Sequence, residues 1–190
     1  MIRKETIDGF NEFIKAQQEQ MTGECYVKLV QFDHEYLPVY DLPLNEVPLL
    51  NPDSYIPRGS TALYDAIGRT IASLGERLKK KPEAKRPEKV IVVIITDGFE
   101  NSSREYKYKQ IADMIKHQTE KYSWSFMYLG ANQDAIASAE HLNIPGTMAM
   151  SYGLTGQSVR STYASLSRNT VAVSTGDSTG FTQEERKNSA

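Results

Sequence analysis

The run from Val90 to Thr96 constrains the fold of this chain more than any other segment. Its first six residues, Val-Ile-Val-Val-Ile-Ile, are all β-branched, and no polar residue alternates with them. A strand with this pattern is buried on both faces, which is typical of a central parallel strand covered by helices. The run therefore predicts an α/β protein built around a parallel sheet.

The segments before this run predict a helix, a hairpin and a second helix. In chain order they are a helix from Thr6 to Gly23, strands at Cys25–Asp33 and Tyr36–Tyr40, a proline-rich irregular connection as far as Pro57, and a helix over Leu63–Leu78. The two strands are joined so tightly that they predict an antiparallel hairpin. Ser60 or Thr61 is the expected N-cap of the second helix, and Asp65 complements its dipole.

Strand and helix patterns continue to alternate after this run. They predict a helix carrying Ile111 and Ile115, a strand over Trp124–Gly130, a short helix over Asp134–Leu142, an edge strand over Thr147–Ser151 and a last helix around Tyr163. The expected fold is an open, mostly parallel, doubly wound sheet with helices on both faces. We expect one domain over residues 1–172 and a polar, mobile tail over residues 173–190.

Composition narrows the classes of partner. The formal net charge is −2, which favours neither nucleic acid nor an anionic membrane. The single cysteine, Cys25, precludes an internal disulfide, the N-terminus lacks the apolar core of a signal peptide, and no stretch is long enough for a membrane span. The sequence therefore predicts a cytoplasmic protein without nucleic-acid or membrane partners.

Two polar residues fall where an α/β sheet binds its ligands, outside the carboxyl ends of the strands. Asp97 directly follows the apolar strand, and Thr61 begins the second helix. Each also has an ordinary structural interpretation, because Asp-Gly turns and threonine caps are common. Taken singly, neither residue decides between these interpretations.

Two strings around these residues resemble metal-site loops of von Willebrand factor A (vWA) domains. They are Gly-Ser-Thr-Ala-Leu-Tyr-Asp-Ala-Ile at residues 59–67 and Ile-Thr-Asp-Gly-Phe-Glu-Asn at residues 95–101. The strings at residues 6–11 and 128–132, the second ending at Asn132, resemble a bacterial and phage branch of the family. The resemblance spans residues 2–170.

The resemblance implies a metal-ion-dependent adhesion site for Mg²⁺ or Mn²⁺. Thr61 and Asp97 match two of its ligands, and an acidic side chain of a protein partner commonly completes the shell. The implied partner-facing loops carry Ser60, Gly98, Glu100 and Asn101. Oxygen ligands of this kind are those that a hard cation prefers.

The chain lacks a part of the family pattern that contributes directly to the metal site. The Asp-x-Ser-x-Ser motif of the family's first loop is absent, and so is the central strand before it. We therefore expect an incomplete site that binds Mg²⁺ or Mn²⁺ weakly or not at all. The absent strand would also leave the strands at residues 25–33 and 90–96 with open edges, which invite pairing or self-association.

Three explanations for the absent strand stay open at this stage. The natural protein begins upstream of Met1, the two neighbouring strands close on each other, or another chain donates a strand. The first is the one that we favour.

Three functions stay open as well. The first is a protein-interaction module of vWA type with an incomplete metal site. The second is a hydrolase or phosphoryl-transfer enzyme using Asp97, although the chain has no phosphate-binding loop, dinucleotide fingerprint or nucleophile elbow. The third is a degenerate structural copy without a ligand. We expect a binding module rather than an enzyme.

Overall fold

The computed structural model describes residues 3–131 and 133–190 of the chain. Within these residues the helices are α1 Arg3–Gln20, α2 Leu63–Lys79, α3 Tyr108–Tyr122, α4 Ala135–His141, α5 Gly156–Thr175 and α6 Gln183–Ser189. The strands are β1 Tyr26–Phe32, β2 Tyr36–Pro43, β3 Ile91–Thr96, β4 Ser125–Ala131 and β5 Ala149–Tyr152. No helix of the described residues has both the length and the apolar character needed to cross a membrane.

The strands form two separate sheets. β1 and β2 make an antiparallel hairpin whose register shifts between Leu29 and Val30. β3, β4 and β5 make a parallel sheet in that order. The predicted hairpin and the predicted parallel sheet of an α/β protein are therefore confirmed.

Helices cover both faces of the parallel sheet. Along β4, Phe126 and Tyr128 enter a core shared with α2, α3 and α4. The alternate residues Met127 and Leu129 enter a second core shared with α1 and α5. This alternation follows from the pleat of a strand, whose successive side chains point to opposite faces.

The position of β3 differs from the expected one. Its apolar run predicts a central strand, yet β4 is its sole ladder partner within the described residues. Ile91, Val93 and Ile95 are only partly buried as a result. β1 does not pair with β3, so the two strands have not closed on each other. An apolar run indicates that both faces of a strand are covered, but it does not indicate which neighbouring strands pair with it.

The start of α1 and the N-cap of α2 differ from the predicted ones, whereas α2 begins at Leu63 as predicted. α1 already includes Arg3, so it begins before the predicted start at Thr6. The N-cap of α2 is Ala62, which supplies no side-chain hydrogen bond, so neither Ser60 nor Thr61 is the cap. The groups that satisfy the first turn of α2 come from a distant loop and are described below.

The expected irregular connection begins later than predicted. β2 continues through Pro38 as far as Pro43. Proline lacks a backbone N–H, and β2 has a ladder partner on one side only, so these residues can point the missing donor away from β1.

Residues 173–190, for which the sequence predicts a polar tail, contain the end of α5 and all of α6. α5 extends to Thr175 and ends at Gly176, whose φ is +85°. Phe181 is buried, α6 begins with a capping box formed by Thr182 and Glu185, and Ser189 is fully buried. Composition alone predicts disorder here, because it does not show that Phe181 joins the core of Met127 and Leu129 or that α6 contacts α5 and β5.

Candidate functional site

The carboxyl ends of the parallel strands lie side by side. Thr96 of β3 is in register with Gly130 of β4, and Gly130 with Ser151 of β5. Asp97 follows directly at this end of the sheet. Asn132, which belongs to the resemblance quoted above, lies outside the described residues, as do Met1 and Ile2.

Two hydrogen bonds between Thr61 and Asn101 hold the loop before α2 against the loop after β3. The Thr61 N–H donates to Asn101 Oδ1 over 2.9 Å, and the Asn101 N–H donates to the Thr61 carbonyl over 3.0 Å. A Cβ added at Gly98 would lie 2.6 Å from Thr61 Oγ1. Glycine at position 98 therefore allows the Thr61 hydroxyl to approach the Asp97–Gly98 turn.

The turn itself is fixed by a buried hydroxyl. Thr96 Oγ1 donates to the Gly98 carbonyl over 2.9 Å and accepts from the Gly98 N–H over 3.3 Å. The neighbouring Asp97 is exposed, and among the described residues its carboxylate has no hydrogen-bond or ion-pair partner. A carboxylate that is held in place by its backbone and is left free at its oxygens can accept an external cation or donor.

Glu100 has a role that the sequence did not reveal. Its Oε2 accepts from the Tyr64 N–H and the Ser103 hydroxyl, and its Oε1 accepts from the N–H groups of Ser102 and Ser103. Tyr64 lies in the first turn of α2, whose N–H groups have no partner within the helix. Glu100 therefore supplies from another loop the cap that Ala62 lacks.

Asp65 makes the reciprocal contact from α2 to the same loop. Its Oδ1 accepts from the N–H groups of Glu105 and Tyr106, and its Oδ2 accepts from the Arg104 N–H. Partial burial raises the pKa of Asp65, but these three hydrogen bonds outweigh it and hold the pKa below the ordinary value of 3.8. Beyond the predicted dipole effect, Asp65 thus fastens the loop after β3 to α2.

The charge of Asp97 acts on two tyrosines, Tyr55 and Tyr152. Burial raises the pKa of Tyr55 and of Tyr152, and the negative charge of Asp97 raises both further. A hydrogen bond from Thr6 and the charge of Arg3 partly oppose the change at Tyr55. Both phenols therefore stay neutral at physiological pH.

The outer side of the site is exposed and partly apolar. Phe99 is 67% exposed, and Ser60 is exposed in the left-handed region with φ of +74°. A non-glycine residue with this φ is uncommon and marks a tightly constrained loop. Sequence reasoning named Ser60 but missed Phe99, because hydrophobicity alone would have placed a phenylalanine in the core.

A second acidic group lies at the hairpin turn. Side-chain atoms of Asp33, His34 and Glu35 lie within 4.8 Å of one another. However, Arg58 forms an ion pair with Asp33 and donates to Glu35 Oε2 over 2.9 Å. The positive charge that these acids require is therefore already present in the protein, and we assign no metal to them.

The histidines have contacts of their own. His34 lies beside Asp33, His117 packs edge-on against Tyr122, and His141 packs edge-on against Tyr108. In the regions that the structure describes, none of these contacts joins a histidine to Asp97. The geometry therefore adds no support to the hydrolase or phosphoryl-transfer alternative.

Comparison with known proteins assigns this chain to no family. No protein-family model matches this chain, and no curated protein matches it.

Proposed function

We propose that this protein is a protein-interaction module of vWA type that works in the cytoplasm, with an incomplete Mg²⁺ or Mn²⁺ site at its centre. The observation that carries the proposal is the exposed carboxylate of Asp97 at the carboxyl end of β3, directly before the Gly98 turn that the Thr61 hydroxyl approaches. In open α/β sheets this is the end where ligands bind.

The chemistry of the two residues suits a hard cation, but their number does not suit tight binding. Thr61 supplies a neutral hydroxyl oxygen and Asp97 a carboxylate oxygen. Mg²⁺ takes about six oxygen ligands in octahedral array and gives up its water reluctantly. Most of the shell would therefore be water, and an acidic side chain of the partner would supply a further ligand.

The partner surface that we propose surrounds these two residues. Ser60 and Phe99 of this surface are exposed and Gly98 is partly buried; Phe99 offers the large apolar contact that interaction sites commonly have at their centre. Glu100 and Asn101 contribute by holding the two loops together, since their side-chain oxygens are bonded within the protein.

The test is thermal unfolding of the full chain with and without millimolar Mg²⁺ or Mn²⁺. A cation that binds only the folded state raises the unfolding midpoint; at a concentration equal to its Kd the gain is about 0.4 kcal/mol, or about 1 °C for a domain of this size. We expect Asp97→Ala and Thr61→Val to abolish this rise.

The matched control is Asp113→Ala, which removes an exposed aspartate from the middle of α3. It should leave the cation-dependent rise unchanged. If the wild-type midpoint does not move with either cation, or if Asp113→Ala abolishes the rise as completely as Asp97→Ala does, the proposed site is wrong. The degenerate-copy alternative would then be preferred.

A further inference from the structure

The loop over residues 58–62, which leads into α2, is fixed at both of its ends by one residue of the hairpin turn, Asp33. At the start of the loop, Arg58 Nε forms an ion pair with Asp33 Oδ2. At its end, the Ala62 N–H donates to the Asp33 carbonyl over 2.5 Å. The side chain of Asp33 therefore holds one end of the loop and its backbone holds the other.

Asp33 is well suited to this role because it is itself held firmly. It is 4% exposed, its Oδ1 accepts from the Glu35 N–H over 2.6 Å, and its own N–H donates to the Glu35 carbonyl over 3.1 Å. Arg58 Nη1 also donates to Glu35 Oε2 over 2.9 Å. The guanidinium thus contacts two acids through two different nitrogens, and this fork geometry restricts its orientation.

Between the two fixed ends, Ser60 adopts an unfavourable conformation with φ of +74°. Outside glycine, the described residues show positive φ elsewhere at Ser123 and Asn143, which follow the ends of α3 and α4, where it is common. Ser60 instead precedes a helix, and in this region the Cβ of an L-residue is crowded.

Ser60 makes no hydrogen bond of its own within residues 3–131 and 133–190. Its conformation is therefore maintained by the contacts of the residues on either side. The next residue depends on it, because the Thr61 N–H donates to Asn101 Oδ1 over 2.9 Å and the Thr61 hydroxyl approaches the Gly98 turn. Relaxation of Ser60 to negative φ would change the direction of the peptide group that carries the Thr61 N–H.

We propose that Asp33 and Arg58 are positioning residues, which hold Ser60 in the left-handed region and so keep the Thr61 hydroxyl at the Gly98 turn. They act through the loop and do not touch the ligand. The consequence for cation binding rests on the proposed function, whereas the conformation of the loop does not. The hairpin turn is therefore part of the candidate site, although it supplies none of the expected ligands.

The first measurement is amide hydrogen exchange of Thr61 in Arg58→Gln, a change at a half-exposed side chain that leaves the buried Asp33 in place. Exchange should become at least about tenfold faster, because the loop is released at one end. Equal exchange rates of Thr61 in the wild type and in Arg58→Gln would overturn the proposal.

The matched control is Arg77→Gln. Arg77 also forms an ion pair with an acid of the hairpin, Asp41, and its side chain is 43% exposed against 39% for Arg58. This pair joins the hairpin to α2 and not to the loop, so its loss should leave the exchange rate of Thr61 within about twofold of the wild type. An equal acceleration in both variants would mean that any loosening of the hairpin has this effect, and the proposal would be wrong.

The second measurement distinguishes control of the Ser60 conformation from a simple tether. Glycine adopts positive φ about as readily as negative φ, so Ser60→Gly removes the tendency of the loop to relax. Arg58→Gln should therefore accelerate Thr61 exchange by less than about threefold in the Ser60→Gly chain, against at least about tenfold in the serine chain. An equal acceleration in both chains would show that Arg58 only ties the hairpin to the loop, which would overturn the positioning role.

The third measurement is the Mn²⁺ concentration needed for a given rise of the unfolding midpoint. Arg58→Gln should need at least about fivefold more Mn²⁺ than the wild type, and Arg77→Gln should need no more. An unchanged requirement in Arg58→Gln would overturn the link between this loop and the site. If the wild type itself does not respond to Mn²⁺, the proposed function fails, and the exchange rates still decide whether Arg58 holds the loop.

Discussion

Acidic residues near the loop after β3 divide into two kinds. Glu100 and Asp65 accept four and three hydrogen bonds respectively, and together they fasten this loop to the first turn of α2. Asp97 lies three residues before Glu100 and accepts none that the structure describes. In the sequence all three are acids at predicted loops or helix starts, yet two belong to the scaffold and one is left for an external partner.

This difference has a physical reason. A loop that must present a free carboxylate needs its backbone fixed by other groups, because an ordered but unbonded side chain contributes nothing to holding itself. Thr96, Glu100 and Asn101 supply that fixation on either side of Asp97. Substitutions at the two kinds of acid should therefore separate stability from binding.

The largest expected effect is that of Glu100→Ala. It leaves the Tyr64, Ser102 and Ser103 N–H groups without their acceptor, so the free energy of unfolding should fall by about 2–3 kcal/mol in urea titrations. Glu100→Gln keeps one carbonyl oxygen as an acceptor, so it should lose only part of this free energy of unfolding. A loss below about 0.5 kcal/mol would show that water replaces the carboxylate and that it is not a cap.

Asp65→Ala should follow, with a loss of about 2 kcal/mol. Its three N–H donors, at residues 104–106, are nearer the surface than those of Glu100, so solvent can replace the lost acceptor more easily. Urea unfolding measures the loss. Proteolysis within residues 98–106 should also become faster, whereas unchanged cleavage there would argue against the fastening role.

A smaller effect should appear as a pH dependence. Because the folded-state pKa of Asp65 is below 3.8, the charged form is favoured by folding. Its contribution to stability is present above pH of about 4 and is lost as the pH falls through the folded-state pKa. The stability difference between wild type and Asp65→Asn should therefore shrink in urea titrations between about pH 5 and 3.

The periodicity of apolar residues predicted the helices and strands well, but it did not predict which of them pair with or cap one another. The hairpin, α2 and β4 all follow from local patterns of apolar residues, which the pleat and the helical turn impose. The cap of α2 does not, because Glu100 is far from Tyr64 in sequence and nothing in either segment marks the other. The pairing of β3 cannot be predicted for a similar reason. Its apolar side chains indicate that both faces are covered, but they do not indicate which strands form hydrogen bonds with it.

The candidate site was predictable in part. Thr61 and Asp97 were chosen from their places at a helix start and a strand end, and the structure brings their loops together through Asn101. The exposure of Phe99 and the partial burial of Tyr55 were not predictable. Both depend on how long loops pack, which is a property of the whole fold rather than of the local sequence.

The smallest effect on stability should be that of Asp97→Ala in the absence of divalent cations. Because its carboxylate has no partner within the described residues, removing it should change the free energy of unfolding by less than about 0.5 kcal/mol. The same substitution should remove the whole rise of the unfolding midpoint with Mg²⁺ or Mn²⁺. The Asp97 carboxylate would then be needed for cation binding but not for stability. A loss above about 1 kcal/mol in metal-free urea titrations would place Asp97 with Glu100 and Asp65 as part of the scaffold. The distinction between the two kinds of acid would then fail, because the carboxylate that appears free would already be committed to folding.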